Sequence, residues 1–246
     1  MNKRQEVILK TAIEEYINLA EPISSKFLSQ KYDWGISAAS IRNDLAVLVD
    51  EGYLEQPHTS AGRIPTDKGY RFLIQSLNED NLLNERKLLK IINSVFKSIR
   101  EEHRLFREIA RILAELSGNL GIAALINSSL SSGADDDEVF KFGISRLLRQ
   151  PEFDEIDEFW QFADDFETLD RKICECAPEF CETRQVRVFI GRENPLVESE
   201  ELSLVISGYK EKDGRKGIAG ILGPKRMRYN RNIPLVDYIS KLLSDR

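Results

Sequence analysis

Residues 37–66 read SAASIRNDLAVLVDEGYLEQPHTSAGRIPT and predict a helix followed by two short strands. Ser37 is a helix-capping residue type, and the apolar residues Ile41 and Leu48 lie two turns apart on one helix face. Gly52 stands where glycine commonly ends a helix. The residues that follow are rich in proline, glycine and polar types, which is typical of a loop between strands.

Upstream residues predict two further helices. Residues 4–20 place apolar side chains every three to four positions, and Pro22 ends that helix because the residue before proline avoids the helical conformation. A capping serine precedes a short helix over residues 25–32, and residues 33–35 form a tight turn. The order helix, helix, turn, helix, strand, loop, strand is that of a winged helix-turn-helix, although plain helical bundles also contain short helices in this order.

The third helix carries candidate DNA-reading residues opposite its apolar face. Helical geometry places four side chains on the side opposite the apolar face: Ala39, Ser40, Asn43 and Val47. Arg42 lies on the flank of that polar side. Small side chains let a helix enter the major groove, asparagine can pair with adenine, and arginine reaches guanine or phosphate. The alternative interpretation is an ordinary solvated helix face, which is the commoner origin of such a pattern.

The loop over residues 55–65 contains residue types that also occur in active sites. His58 and Arg63 would suit catalysis, but the other histidine, His103, lies in an amphipathic helical stretch. The chain has no nucleophile-elbow, zinc-protease or phosphate-loop motif that could supply partners. We therefore expect no enzyme activity and no cofactor.

As a wing, the same loop would contact DNA. Thr59, Ser60 and backbone amides near Gly62 can donate hydrogen bonds to phosphates, and Arg63 can enter the minor groove. The start of the second helix should touch the DNA backbone. The predicted DNA-binding residues are Ser25, Lys26, Ser37, Ala39, Ser40, Arg42, Asn43, Val47, His58, Thr59, Ser60, Gly62 and Arg63.

The rest of the chain predicts an α+β domain joined to the first by helix. Residues 78–117 form an amphipathic helical connector with a register slip, hence one kinked helix or two, which could connect domains or pair with a copy of itself. Residues 118–246 predict strands near 121–130, 139–144, 186–190, 202–207 and 216–222, and helices over 156–174 and 235–243. The predicted domains are therefore 1–77, 78–117 and 118–246, the last with a small, mainly antiparallel sheet.

Charge and cysteine content narrow the function classes. The net charge is −6, and residues 1–75 hold 9 bases against 10 acids, so DNA binding would depend on a few well-placed cations. Residues 135–180 carry a local charge of −10, whereas residues 209–246 carry +6.

The three cysteines in CECAPEFC have neither zinc-site spacing nor an evident fourth ligand, so we expect no metal site. No apolar run is long enough to span a bilayer and no signal peptide is apparent, which favours the cytoplasm.

The stretch SAASIRNDLAVLVDEGYLEQPHTSAGRIPTDKGYRF closely resembles the N-terminal winged helix of the heat-inducible transcription repressor family HrcA. The resemblance extends to RQEVILKTAIEEYI and EPISSKFLSQKY upstream. It resumes downstream in GISRLLRQPEF, VRVFIGRENP, LSLVISGY and GIAGILGPKRMRYNRNIPLVDYISKLL, so that it covers most of the chain.

The resemblance implies a dimeric repressor with a GAF-like C-terminal domain. It also implies that the protein binds an inverted-repeat operator ahead of chaperone genes, is released on heat shock, and is kept active by the chaperonin. The chain is shorter than typical members, and we expect the loss between residues 130 and 140, where the family carries a dimerisation region. The helical stretch 78–117 is then the substitute dimer candidate.

Two other function classes stay open at this point. The C-terminal domain of a metabolite-responsive winged-helix regulator would bind a small ligand, and glycine-rich strands in an α+β core would permit that. A pure protein-interaction module would instead use the long helix and the acidic segment, and would have no affinity for DNA.

Overall fold

The computed structural model describes residues 1–59, 61–77, 86–126, 137–212 and 214–246. The chain divides into two compact units, Met1–Leu77 and Asn78–Arg246. The predicted mixture of helices with a small antiparallel sheet is confirmed. Among the described helices, none is both long enough and apolar enough to cross a membrane.

The first unit follows the predicted order of elements. In chain order they are α1 (Lys3–Leu19), α2 (Ser25–Lys31), α3 (Ala38–Asp50), β1 (Leu54–Glu55), β2 (Ile64–Pro65) and α4 (Asp67–Gln75). The helix ends follow local chemistry: Asn2 caps α1 in a capping box with Gln5, and Ala20 ends it in the left-handed conformation at φ 55°. Helix α4 begins at Asp67 because the Thr66 hydroxyl accepts a hydrogen bond from the Gly69 amide (3.2 Å).

Helices α1, α2 and α3 pack around one apolar core. The residues that close this core are Ile8, Leu9, Ile13, Leu28, Ile41 and Leu48, each at most 1% exposed. Strands β1 and β2 are antiparallel, with Leu54 opposite Pro65. Between α1 and α2, Ile23 forms an antiparallel bridge with Arg63, so an extended residue ahead of α2 is joined to the hairpin.

The second unit is built on a five-stranded antiparallel sheet of order β4-β3-β7-β6-β5. In chain order its elements are α5 (Arg86–Ser98), α6 (Glu102–Ser117), β3 (Leu120–Ile126), β4 (Glu138–Phe142), α7 (Ile144–Leu147), α8 (Ile156–Thr183), β5 (Arg187–Ile190), β6 (Leu202–Lys210), β7 (Lys216–Pro224) and α9 (Tyr229–Ser244). Two short 3-10 turns, Pro151–Phe153 and Gly191–Glu193, lie in the connections.

Helices cover both faces of this sheet. Alternate residues of the central strands, such as Ile122 and Leu204, share a buried cluster with Leu169 of α8. The opposite face meets α6 and α9: the Phe106 ring of α6 stacks on Tyr209 at 5.9 Å. The unit is therefore a three-layer arrangement, with α8 on one face of the sheet and α6 and α9 on the other.

Close helix-to-sheet approach explains two of the glycines. A Cβ at Gly121 would overlap the backbone of Ala110 in α6, and a Cβ at Gly208 would overlap the backbone of Phe180 in α8. Each glycine lets a helix lie directly on the strand, one on each face of the sheet.

The helical stretch before β3 forms two helices, and the second belongs to the core of this unit. The apolar side of α6 is buried, including Leu105, Phe106, Ile109 and Leu113, and packs against β3. Because the sheet already covers that side, α6 cannot offer it to a second copy. Any dimer contact from residues 78–117 must come from elsewhere in the stretch.

Two helices are longer than the periodicity predicted. Helix α8 continues to Thr183 with Pro178 inside it, because Ala177 and Phe180 extend the buried stripe beyond Cys174. Burial of these side chains outweighs the roughly 3 kcal/mol that an interior proline costs. Helix α9 starts at Tyr229, whose buried hydroxyl lies 3.0 Å from the Ser203 hydroxyl oxygen.

Candidate nucleic-acid interface

Helix α3 presents the predicted face to solvent. The Ser37 hydroxyl caps it by accepting a hydrogen bond from the Ser40 amide (3.1 Å). Its apolar side is buried, whereas Ala39, Arg42, Asn43 and Val47 are exposed and Ser40 is half-exposed. The structure thus brings the predicted residues of this helix onto one accessible surface.

A buried carboxylate that the sequence analysis missed holds α3 against α1. Asp44 is 4% exposed and accepts hydrogen bonds from Arg4 (2.9 Å) and Gln5 (3.4 Å). The ion pair with the carboxylate raises the pKa of Arg4. The available signal was an acid within the apolar stripe, between Ile41 and Leu48, because a buried acid requires a partner.

A second polar cluster joins α2 to α1. Glu15 is 4% exposed and accepts hydrogen bonds from Lys31 (2.6 Å) and from the Tyr32 hydroxyl (2.5 Å). Burial raises the pKa of Glu15, but the hydrogen bonds from Lys31 and Tyr32 outweigh it, so the pKa lies below its ordinary value. The hydrogen bond to the carboxylate raises the pKa of Tyr32 to about 12. This cluster fixes the end of α2 next to the turn that leads into α3.

The hairpin loop is ordered by its own polar groups. The Gln56 side-chain amide donates to the carbonyl oxygens of Thr59 (2.8 Å) and Ala61 (3.0 Å), and the Ala61 amide donates to the His58 carbonyl (2.8 Å). These bonds leave the side chains of Pro57, His58 and Thr59 exposed at the tip. The predicted contact Ser60 lies outside the described residues.

The base of the loop is used for packing more than the sequence predicted. The Arg63 amide donates to the Ile23 carbonyl (2.8 Å), and the Ile23 amide donates to the Arg63 carbonyl (2.9 Å). The Arg63 amide is therefore not available to a phosphate. The Arg63 side chain is half-buried, and its Nη1 donates to the Ala61 carbonyl (3.4 Å). A Cβ at Gly62 would lie 2.6 Å from the backbone of Pro22 and Ile23, so glycine serves close approach here.

The two predicted contact residues at the start of α2 differ in their exposure. Ser25 is buried, at 7% exposed, so its side chain is poorly placed for the DNA-backbone contact assigned to it. Lys26 is exposed. The capping residue Ser24 is exposed, and its hydroxyl accepts a hydrogen bond from the Phe27 amide (3.1 Å).

Few cations stand on this surface. Lys26 and Arg42 are exposed and form no ion pair with any residue that the structure describes. Exposed acids, Asp33, Asp50 and Glu55, belong to the same unit. The balance agrees with the near-neutral composition of residues 1–75.

The three cysteines of the second unit lie in α8. Cys181 is buried and its thiol donates to the Gly217 carbonyl (3.1 Å); burial raises its pKa. Burial, and then the carboxylates of Asp137 and Asp170, raise the pKa of Cys174 to about 11. Within the described ranges, no three His, Cys, Asp or Glu side chains are grouped closely enough to hold a metal ion.

Part of the basic C-terminal segment neutralises the acidic one. Arg226 is paired with Glu152 (2.6 Å) and also donates to Gln150 (2.7 Å), with both charged partners largely buried. Arg226 is therefore a partner of the acidic segment 135–180 in this structure.

Comparison with known proteins agrees with the resemblance seen in the sequence. The family model described as HrcA protein C terminal domain matches residues 59–233. Heat-inducible transcription repressor HrcA of Syntrophobacter fumaroxidans is 26% identical over 336 positions, covering 99% of this chain and 97% of the relative. The protein of the same name from Natranaerobius thermophilus is 29% identical over 338 positions, covering 99% of this chain and 96% of the relative.

A solved structure shares the fold. It is described as a hypothetical protein at 2.2 Å resolution, and it aligns with a TM-score of 0.71 at 21% identity, covering 99% of this chain and 96% of its own. The alignment with the S. fumaroxidans relative is 90 positions longer than the 246 residues of the chain, so the chain is shorter than that relative. The family model spans most of the chain, which therefore belongs to the HrcA family.

Proposed function

We propose that the chain is a heat-inducible repressor of chaperone operons that binds double-stranded DNA through a winged helix in residues 1–77. The observation that carries this proposal is the two-sided character of α3, which is buried along one side and presents Arg42 and Asn43 on the other. The bridge between Ile23 and Arg63 supports it further, because the hairpin is thereby joined to the region that precedes α2.

In this proposal α3 is the helix that reads the major groove. Ala39 and Ser40 are small, so the N-terminal end of α3 can approach base edges closely. Asn43 can donate to and accept from adenine, and Arg42 can reach guanine or a phosphate. Val47 offers an apolar contact to a thymine methyl group.

The hairpin loop is the wing of the proposed domain. His58 and Thr59 are exposed at its tip and can donate to phosphates or enter the minor groove. Arg63 is less available for a DNA contact in this proposal, because the residue is half-buried at the base of the loop. The exposed Lys26 of α2 is a further phosphate contact in this proposal.

The proposed repressor is a homodimer on an inverted-repeat operator. One α3 covers one half-site, so a palindromic site requires a two-fold pair of chains. The second unit, a GAF-like α+β domain in this proposal, holds the pair together, and heat stress releases it from DNA. The chaperonin is a candidate partner that restores binding.

The metabolite-responsive alternative has little support. A cavity of about 530 Å³ lies beside α8, but four of its six lining residues are charged: Asp137, Asp170, Arg171 and Glu175, together with Val139 and Cys174. Binding sites for small molecules usually have few convergent polar groups, whereas a ligand in this cavity would meet four charged side chains.

A gel shift on a chaperone promoter that contains an inverted repeat tests the proposed function. We expect the full-length protein to bind and shift this duplex but not a scrambled one, and to release the duplex reversibly on heating. The Asn43→Ala variant should lose about 1–3 kcal/mol on the cognate duplex only. The matched control is Asp50→Ala, an exposed residue at the far end of α3, which should bind like the wild type. If Asn43→Ala weakened binding equally on the cognate and the scrambled duplex, Asn43 would not read a base. If the wild-type protein shifted no duplex at all, the proposed function would be wrong.

A further inference from the structure

Helix α5 has an apolar face that the described part of the chain covers only in part. Its apolar residues recur at helical spacing: Leu89, Ile91, Ile92, Val95 and Phe96. Ile92 is fully buried, whereas Ile91 is 57% exposed and the others are half-buried. The helix contacts α6, and the Asn93 side chain donates to the Tyr238 hydroxyl of α9 (2.7 Å). A partly covered apolar face of this kind is typical of a surface that binds another protein.

The same helix is strongly basic. Residues 86–100 contain five basic residues and no acid. Lys90, Lys97 and Arg100 are exposed and form no ion pair within the described residues. A surface that fits α5 therefore needs apolar side chains surrounded by carboxylates.

The first turns of α8 have these properties. Ile156 is 69% exposed and Trp160 is 60% exposed, and they lie four residues apart on one face. The Phe159 ring packs edge-on against Trp160, with ring centroids 5.4 Å apart. Tryptophan is the residue type most enriched among the side chains that dominate binding energy at interfaces.

Carboxylates surround this apolar pair. Residues 152–170 contain nine acids and no base. Five of the acids are exposed and form no ion pair in the part of the chain that the structure describes: Asp154, Glu155, Asp157, Asp164 and Glu167. The charge of this surface is thus opposite to that of α5.

Within the described part of one chain, the two surfaces lie on opposite sides of the sheet. Helix α5 lies with α6 and α9, whereas α8 covers the opposite face of the sheet. Pairing α5 with another α5 would oppose two sets of lysines, and pairing α8 with another α8 would oppose two sets of carboxylates. Of the three pairings of these two surfaces between copies, α5 against α8 is the one that joins opposite charges.

We propose that α5 of one copy packs on the first turns of α8 of a second copy, with Ile91 of one chain against Trp160 of the other. Lys90 and Lys97 then face the carboxylates around Asp157, and a two-fold dimer forms this contact twice. The inference rests on the proposal that the repressor is a homodimer and names the surfaces that pair.

Charge exchange on the full-length chain tests the pairing. One variant reverses α5 (Lys90→Glu with Lys97→Glu), and a second reverses α8 (Asp157→Lys with Asp164→Lys). In sedimentation we expect each variant alone to dissociate at least ~10-fold more readily than the wild type, and an equimolar mixture to recover the dimer, because both contacts in the mixed pair again join opposite charges. Trp160→Ala should weaken the dimer ~30-fold.

Matched controls separate this idea from general damage. Glu175→Lys makes one such acid-to-lysine exchange on an exposed part of α8 outside the patch (61% exposed) and should leave the dimer intact. Each variant should keep the wild-type far-ultraviolet circular dichroism spectrum. A wild-type dimer that neither reversal weakens would overturn the assigned surfaces while leaving the dimer in place. A wild-type monomer, free and on DNA, would overturn the dimer itself. Cross-linking between two Ile91→Cys copies would instead show that α5 pairs with α5.

Discussion

Gly62→Ala tests whether the hairpin is held to the region before α2 by backbone contact. The new Cβ would lie 2.6 Å from the Ile23 and Pro22 backbone, so Ile23 must move by about 1 Å. That movement breaks the two hydrogen bonds between Ile23 and Arg63, which contribute together about 1–3 kcal/mol. Alanine also lowers the conformational entropy of the unfolded chain, which stabilises the folded protein by about 0.4–1 kcal/mol. The loss of hydrogen bonds outweighs this gain, and we expect the first unit to be destabilised by roughly 1–2 kcal/mol.

Urea unfolding of the full-length chain measures this change. The two tryptophans lie in different units, so a Trp160→Phe background leaves Trp34 as the reporter of the first unit. Thr59→Ala, at the exposed tip of the same loop, is the control and should stay within about 0.5 kcal/mol of the parent. Hydrogen exchange at the Ile23 amide should accelerate in Gly62→Ala. An unchanged urea midpoint together with unchanged exchange would show that the close approach does not stabilise the hairpin.

Two further predictions concern titratable groups. Tyr32→Phe removes the hydrogen bond to Glu15 and should destabilise the first unit at neutral pH. Because the pKa of Tyr32 is raised from 10.0 to about 12 in the folded protein, its contribution is fully present below pH 10 and is lost as the pH rises towards 12. The stability difference between wild type and variant, measured by urea unfolding across this interval, should therefore shrink, and a constant difference would contradict the assigned hydrogen bond. The Cys181 thiol is buried and its pKa is raised, so it should react with a thiol reagent only after unfolding; rapid labelling of the native protein would place it at the surface instead.

Local sequence signals determined most of the first unit. Ser37 followed by apolar residues at helical spacing predicted α3, and the structure contains the cap and the buried side as expected. The same periodicity identified which side of α3 is exposed, because a helix places residues on its faces by geometry alone. The motif SAASIRNDLAVLVDEGYLEQPHTSAGRIPT, together with the downstream matches, also identified the family.

Signals that depend on distant partners were not readable in the sequence. The burial of Ser25 and the backbone bridge from Arg63 to Ile23 arise from segments about 40 residues apart that meet only in the fold. Asp44 shows the same limit. A carboxylate in an apolar stripe indicates that a polar partner exists, but the sequence does not show that this partner is Arg4.

The second unit divides in the same way. Alternation predicted its strands, but the strand order β4-β3-β7-β6-β5 and the assignment of α8 to one face and α6 to the other followed from pairing across the whole unit. The sequence by itself determined where the amphipathic helices lie and which charges they carry. Only the tertiary structure decided that the sheet covers the apolar side of α6, while much of the apolar side of α5 and the Ile156–Trp160 pair stay accessible, because burial depends on which surfaces the chain can bring together and periodicity does not report that.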